Sequence, residues 1–599
     1  MCGIAGFLGD TRNDLSEIAS KFNHSLFHRG PDSQGYHTID LDGHRTILLS
    51  HTRLAILDLS ISASQPMHDF NRESWIVFNG EIYNHIEIRQ ELEQMGHFFR
   101  TDHSDTEAIL HGYEEWGTDI LSRIRGMFAF ALWDGRKRQL LLAVDGLGIK
   151  PLYYADANGS FVFSSEVRAI LETGIVNARI DPIGLEMFLS FGAVQGPSTI
   201  ISGVRSLPPG TYLAVSSDGK VDGPHTWYNL PFKQDGCGTK PVMAEIRHLL
   251  DDAVRSHLIA DVPVGLFLSG GIDSGVVAGL AAKHSANIKA FSITFPDWPD
   301  SEGELARETA RIHGLDHIEI PFSESDLLAV LPEALKAMDE PSFDGLNIFV
   351  ISKAVREAGF KVVLSGMGGD EVFGGYSTFR QLPVLSAWGR RLGPFAPFLR
   401  GYTDIYGGYA RRKGLFTSAM RRALLPDGPE RSGHVERAVC AGLDHVNAVS
   451  LLELRIYLAN MLLRDTDCMS MAHGLEVRVP LLDRPLVDYM ANVHGRYKVS
   501  RFTHKPLLVG AARDLLPGNI YRRPKQGFVF PWGKWIHGAL CPLVDAALLD
   551  AETFRSIGMN PSSVAGVWRD FIRGGTGLRW NHVWSLVVLR EWVLRHLPT

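Results

Sequence analysis

Two sets of residues have types and spacings that could do chemistry. The first starts at Cys2, within Met1-Cys2-Gly3-Ile4-Ala5-Gly6. If Met1 is removed, a thiol and a free α-amine share one residue. The amine's ordinary pKa is near 8, so it can take the thiol proton, a task that a histidine performs in other nucleophilic sites. A cysteine that attacks an amide also needs donors for the oxyanion and a grip on the rest of its substrate. Four segments supply candidates: "HRGPDSQG", "SHTRLAILDLS", "FNGEIYNH" and "SDTE". Asn79 and the Gly80 N–H suit an oxyanion hole, Arg53 could hold a carboxylate in a fork, and Glu81 and Asp105 could hold an ammonium. Together they describe a site for an α-amino acid with an amide side chain, which is glutamine. Taken singly, each has a plainer reading: a surface ion pair for Arg53, a hairpin turn for Asn79-Gly80, a helix N-cap for Asp105.

The second set is "LSGGIDSG", Leu268 to Gly275. It follows an apolar strand and opens a helix, where small residues and free N–H groups make an anion cradle. The GK[ST] ending of a Walker A loop is missing. A second loop, "LSGMGGDEVFGGY", also follows a strand. Both loops would lie at the carboxyl ends of parallel strands, where such sheets bind ligands.

These residues need scaffolds of two kinds. Up to about Leu213 the chain reads as short strands and turns with a few helices. "ESWIVFNGEIYN" and "GMFAFALWDGRKRQLLLAVDG" are strand–turn–strand patterns, and "NHIEIRQELEQMG" and "SDTEAILHGYEEWG" are helical by spacing. A Gly-, Pro- and polar-rich stretch places a linker at 216–241, between domains 2–215 and 242–599. Beyond it, strands ("VPVGLFLS", "IKAFSITF", "HIEIPF", "KVVLSG") alternate with helices, which implies a parallel doubly wound sheet. Past Ser377 the pattern is mostly helical. An arginine-rich run there, with Arg390, Arg391, Arg411, Arg412, Arg421 and Arg422, reads as a solvated face.

At 599 residues the chain should hold two or more domains. A net charge of -7 gives no basic footprint for nucleic acid. The five cysteines are far apart with no CxxC pair, which excludes a disulfide framework and the common zinc patterns and suits a reducing compartment. No apolar run is expected to span a membrane and no signal peptide is expected, so a cytoplasmic enzyme is the default.

"CGIAG", "HRGPD" and "NGEIYN", in that order, closely resemble the class II, N-terminal-nucleophile glutamine amidotransferases. That resemblance implies an α/β/β/α four-layer domain and a glutamine site of Arg53, Leu54, Asn79, Gly80, Glu81 and Asp105. "SGGIDS" resembles the PP-loop of ATP pyrophosphatases. It implies that Ser269, Gly270, Gly271, Asp273 and Ser274 hold the ATP phosphates, that Leu268 belongs to the same ATP site, and that Phe267, Ile293, Ser365 and Gly366 meet adenosine. Asp273 and Asp370 would hold Mg²⁺, which takes hard oxygen ligands. "LLRDTDCMSMAHGLEVRVPLLD" and "YRRPKQGFVFP" extend the likeness to the asparagine synthetase family over almost the whole chain. In that family a lysine at the position of Lys525 stabilises charge during adenylation. Ammonia crosses an internal channel, here past Arg29 and Met127, and the protein is often a homodimer.

Two departures stand out. The family's second loop carries a glutamate where this chain has Met367, which cannot act as a base. Either Glu371 or another carboxylate takes that part, or the acceptor is not aspartate. Val144 and Gly146 depart within "AVDGLGIKPLYY" and should tune the domain interface. Besides asparagine synthesis, the residues leave open the same chemistry on a sugar acid, peptide or specialised carboxylate, a β-lactam-forming cyclase, and a non-catalytic sensor.

Overall fold

A computed structural model of the chain describes residues 2–11, 14–234, 237–295, 303–392, 401–429, 434–518, 520–522, 530–575 and 577–597. Lys525 lies outside the described residues.

The first half contains two six-stranded antiparallel sheets. The strand Gly126–Asp134 shows why they stack. Its side chains alternate, so Ala129, Ala131 and Trp133 enter the core between the sheets with Ile4, Leu8, Ile47 and Leu49. Phe128, Phe130 and Leu132 enter a second core with Ile109, Leu110 and Tyr113 of the helix Asp105–Trp116. A strand apolar on both faces must be covered on both. On the far side, Phe7 and Leu48 pack against Ile18 and Phe22 of the helix Leu15–Leu26. Asp14 caps that helix by accepting from Ser16 N at 3.0 Å and Glu17 N at 3.1 Å. The result is the four-layer α/β/β/α sandwich.

The second half is built on five parallel strands in the order Asp316–Pro321, Lys289–Thr294, Val264–Phe267, Val362–Leu364 and Glu476–Arg478. Four of them were legible as apolar runs. The fifth, within "HGLEVRVP", was not. Val264–Phe267 and Val362–Leu364 are neighbours, with Leu266 opposite Leu364. The loops that follow them therefore emerge side by side at the carboxyl edge of the sheet. Helices make up most of the remainder, ending with Trp580–His596. Arg390, Arg391, Arg411, Arg412 and Arg422 are exposed, while Arg421 pairs with Glu186 at 3.0 Å.

Two expectations need correction. Part of the expected linker 216–241 is strand: Val221–Thr226 pairs with Thr211–Ser216 as the edge of the second sheet. Glycine and proline mislead there because an edge strand tolerates both. The helical stretch His445–Met471 is long and apolar enough to cross a membrane by composition, with mean hydropathy 1.3, yet most of it is buried inside the protein.

Close packing at Gly6 joins three strands. A Cβ there would lie 2.4 Å from the Phe163 ring and 2.6 Å from Leu48 O. Gly6→Ala should destabilise the fold by about 1–3 kcal/mol, read as a lower denaturant midpoint in equilibrium unfolding.

Candidate active sites

Cys2 stands at the head of the strand Gly3–Asp10, almost fully buried. Its N–H donates to Asn79 Oδ1 at 3.0 Å. Asn79 lies on Ser74–Ile82 and has no exposed surface. Its Nδ2 is buried without a hydrogen-bond partner among the described residues. The next residue must be glycine, because a Cβ on Gly80 would lie 2.1 Å from Met127 O. Burial pushes the Cys2 thiol up, against a backbone hydrogen bond at Leu54 and the charge of Arg53. His51, opposite Ile4 in the sheet, is pushed down to about 3 by burial, so its ring is neutral.

The expected glutamine-binding residues gather near this point, with partners that the sequence did not reveal. Arg53 donates from Nη1 to Ser60 O at 2.9 Å and from Nη2 to Asp58 O. Asp105 Oδ2 accepts from Ile82 N at 3.0 Å. Glu81 pairs with Arg478 at 3.1 Å, and Arg478 also reaches Glu476 at 2.5 Å. Burial, with Glu476 and Asp105 adding repulsion against the pull of Arg478, lifts Glu81 well above the usual carboxylate range. Arg478 and Glu476 come from the other half of the chain, on the unanticipated fifth strand.

A second buried cation makes the same crossing. Arg29 donates from Nε to Cys2 O at 3.1 Å, from Nη1 to Glu166 at 2.9 Å, and from Nη2 to Asp467 at 2.8 Å. Lys150 holds the other oxygen of Asp467 at 3.2 Å. The loop bearing Lys150 is organised by Asp145, whose carboxylate accepts from the N–H groups of Leu147, Ile149 and Lys150, each at 3.0 Å. Gly146, a departure from the family pattern, lies under the ring of Tyr228, where a Cβ would come within 2.7 Å. Tyr228 in turn donates to Asp488 at 2.6 Å. Beside Arg29 is a cavity of about 10 Å³ lined by Glu166, Asp339, Asp465 and Asp344 among others. Met127 is not among its lining residues. Asp344 also lines a much larger cavity, of about 550 Å³.

That larger cavity holds the second set of residues. Phe267, Leu268, Ser269, Gly270, Gly271, Asp273, Ser274, Ile293, Ser365, Gly366 and Asp370 all line it. Gly271 precedes the helix Ile272–His284, and the hydroxyls of Ser269 and Ser274 lie 3.0 Å apart. The two loops touch: a Cβ on Gly366 would lie 2.6 Å from Ser274 N, and one on Gly369 would lie 2.4 Å from Asp273 Oδ1. Between them stands Lys505, whose Nζ contacts Asp273 and lies 2.7 Å from Asp370. Against burial, these carboxylates raise its pKa. Nothing in "RFTHKP" marks Lys505 as functional, and only the fold brings it to the two aspartates. Met367 lines the cavity too, with Thr466 Oγ1 at 3.7 Å from its sulfur. Glu371 accepts from Tyr376 at 2.6 Å.

The family model described as asparagine synthase matches residues 245–594, and that described as a glutamine amidotransferase domain matches residues 1–228. The chain is 31% identical to glutamine-hydrolysing asparagine synthetase 1 of Bacillus subtilis, over 92% of this chain and 90% of the relative. It is 32% identical to a putative glutamine-hydrolysing asparagine synthetase of Mycobacterium bovis, over 99% and 97%. It is also 28% identical to the protein named amidase chyE of Penicillium rubens, over 93% of each chain.

Removing a cation from a buried ion network leaves its carboxylates uncompensated. Arg29→Gln should therefore lower stability by about 3–5 kcal/mol, measured by denaturant unfolding. A loss below about 1 kcal/mol would show that Arg29 does not hold the halves together.

Proposed function

The chain belongs to the asparagine synthase family and carries a glutamine amidotransferase domain, and from that premise we propose that it moves the amide nitrogen of glutamine onto an ATP-activated carboxylate, the β-carboxylate of aspartate. The observation that carries the glutaminase half is the Asn79 amide: its oxygen takes the Cys2 N–H, and its buried Nδ2 is left for an oxyanion. With Met1 removed, the Cys2 nitrogen is an α-amine that accepts the thiol proton, a part that neutral, carbonyl-bound His51 does not fill. The sulfur attacks the glutamine carboxamide, ammonia leaves, and water cleaves the thioester to glutamate. Gly80 N–H is the second oxyanion donor. Arg53, Leu54, Glu81 and Asp105 bind the α-carboxylate and ammonium end of glutamine.

In the second half, Ser269, Gly270, Gly271 and Ser274 cradle the ATP phosphates, while Phe267, Leu268, Ile293, Ser365 and Gly366 meet adenosine. Asp273 and Asp370 are hard oxygen donors already drawn to one cation, Lys505, so the pair fits Mg²⁺. When bound, that ion neutralises phosphate charge. The acceptor carboxylate attacks the α-phosphorus and pyrophosphate leaves. Ammonia then displaces AMP from the acyl-adenylate. Adenylation is required because a free carboxylate is a poor acyl donor. Lys525 and Lys505 stabilise the charge that develops. The small cavity between Arg29 and Asp344 supports an internal route for ammonia.

A second reading keeps this chemistry and changes the acceptor to a bulkier acid. Met367 favours it, as do Phe343, Tyr457, Leu462, Trp532 and Trp580 in the cavity wall. Product analysis by mass spectrometry separates the two. With glutamine, MgATP and aspartate, the first reading predicts asparagine, glutamate, AMP and pyrophosphate together. Glutamate without aspartate-dependent AMP moves the acceptor to the second reading. Within the first half, Asn79→Ala should lower the glutaminase kcat by about 10²–10³-fold. Cys2→Ala should abolish glutaminase activity while ammonia still supports amidation.

A further inference from the structure

Away from both centres, a cluster in the first half has a geometry that neither reaction uses. His97 follows the helix His85–Gln94, and His111 and Glu114 lie on Asp105–Trp116. The two imidazoles meet with Nδ1 3.4 Å from Nδ1. Glu114 Oε2 is 3.5 Å from His111 Nδ1 and 3.9 Å from His97 Nδ1. A tetrahedral Zn²⁺ with bonds of about 2.0–2.1 Å has neighbouring donor atoms roughly 3.3 Å apart. The three atoms therefore stand close to three corners of such a tetrahedron.

The outer ring nitrogens face carboxylates. His97 Nε2 lies 3.2 Å from Glu115 Oε2, and His111 Nε2 lies 3.6 Å from Glu107 Oε1. Glu107 itself accepts from Arg100 N and Thr101 N, each at 2.8 Å. A carboxylate behind an imidazole fixes the proton on the outer nitrogen and turns the inner lone pair toward a metal. With the protons on the outer nitrogens, two Nδ1 lone pairs and a carboxylate oxygen face one another, an arrangement that a cation would join. A single shared proton would join only the two nitrogens, as a long hydrogen bond of 3.4 Å. The other oxygen of Glu114 is 3.6 Å from Arg136. Arg100 is 4.0 Å from Glu107, and Arg89 stacks on Phe99, whose ring packs on His111.

We propose that His97 Nδ1, His111 Nδ1 and Glu114 Oε2 bind a divalent transition-metal ion of the Zn²⁺ class, with the fourth position open. Two imidazoles and one carboxylate suit Zn²⁺ and not Mg²⁺ or Ca²⁺, which take oxygen donors. His97 and Glu114 are partly exposed, so an ion can reach the site. The ion ties the turn after His85–Gln94 to the helix that begins at Asp105.

The test uses the full chain, stripped with a chelator and titrated with Zn²⁺ by calorimetry and with Co²⁺ by visible absorption. The site predicts one ion per chain and Co²⁺ bands typical of tetrahedral coordination. His97→Ala, at a partly exposed position after a helix, should weaken binding by at least about 100-fold and remove those bands, and Glu115→Gln should weaken it about tenfold. Because a free cysteine can also ligate zinc, dependence on His97 is the deciding readout. Absence of stoichiometric binding, or binding unchanged in His97→Ala, would overturn the site and leave a proton-bridged histidine pair.

Discussion

Arg29 is a guanidinium with no exposed surface, and the two halves of the chain meet through it. An unpaired buried charge is very costly, so Arg29 is tolerable only where three acceptors come together. One is the carbonyl of Cys2, one is Glu166 of the first half, and one is Asp467 of the second. Because these acceptors lie on different halves of the chain, the position of Cys2 and the docking of the halves are parts of one electrostatic constraint. Arg478 repeats the arrangement in the opposite direction, reaching from the second half to Glu81 of the first.

The same logic shapes the second centre through sterics. Two neighbouring parallel strands deliver two loops to one edge of the sheet. Glycines at 366 and 369 let those loops touch, since a Cβ at either position would collide with Ser274 or Asp273. The touching loops bring Asp273 and Asp370 within reach of one cation, and Lys505 takes that place. The chemistry therefore depends less on any single carboxylate than on the close approach that gathers them.

Much of this was legible in the sequence because it is written locally. The unbroken apolar run in "GMFAFALWDG" marks a strand, and small residues after "VPVGLFLS" mark a strand-to-helix turn. Cys2, Asn79 and Asp273 stand in short motifs whose spacing suggests the proposed sites. The rest is carried by long-range contacts. Arg478 and Asp467 stand in the segment that resembles the asparagine synthetase signature, but nothing local says that they pair with Glu81 and Arg29. Lys505 sits in a segment without pattern. Val221–Thr226 looks like a linker because its only constraint is to lie on a sheet edge. The His97–His111 pair is invisible along the chain because it joins a turn to a helix.

The central claim is that nitrogen released at Cys2 stays inside the protein until it meets the activated carboxylate. The most direct measurement supplies glutamine with an isotopically labelled amide nitrogen, MgATP and aspartate in an excess of unlabelled ammonium, and reads the label in the product by mass spectrometry. The account predicts asparagine that retains the label despite the surrounding ammonium. Asparagine carrying mainly unlabelled nitrogen, with the label recovered as free ammonium, would contradict it.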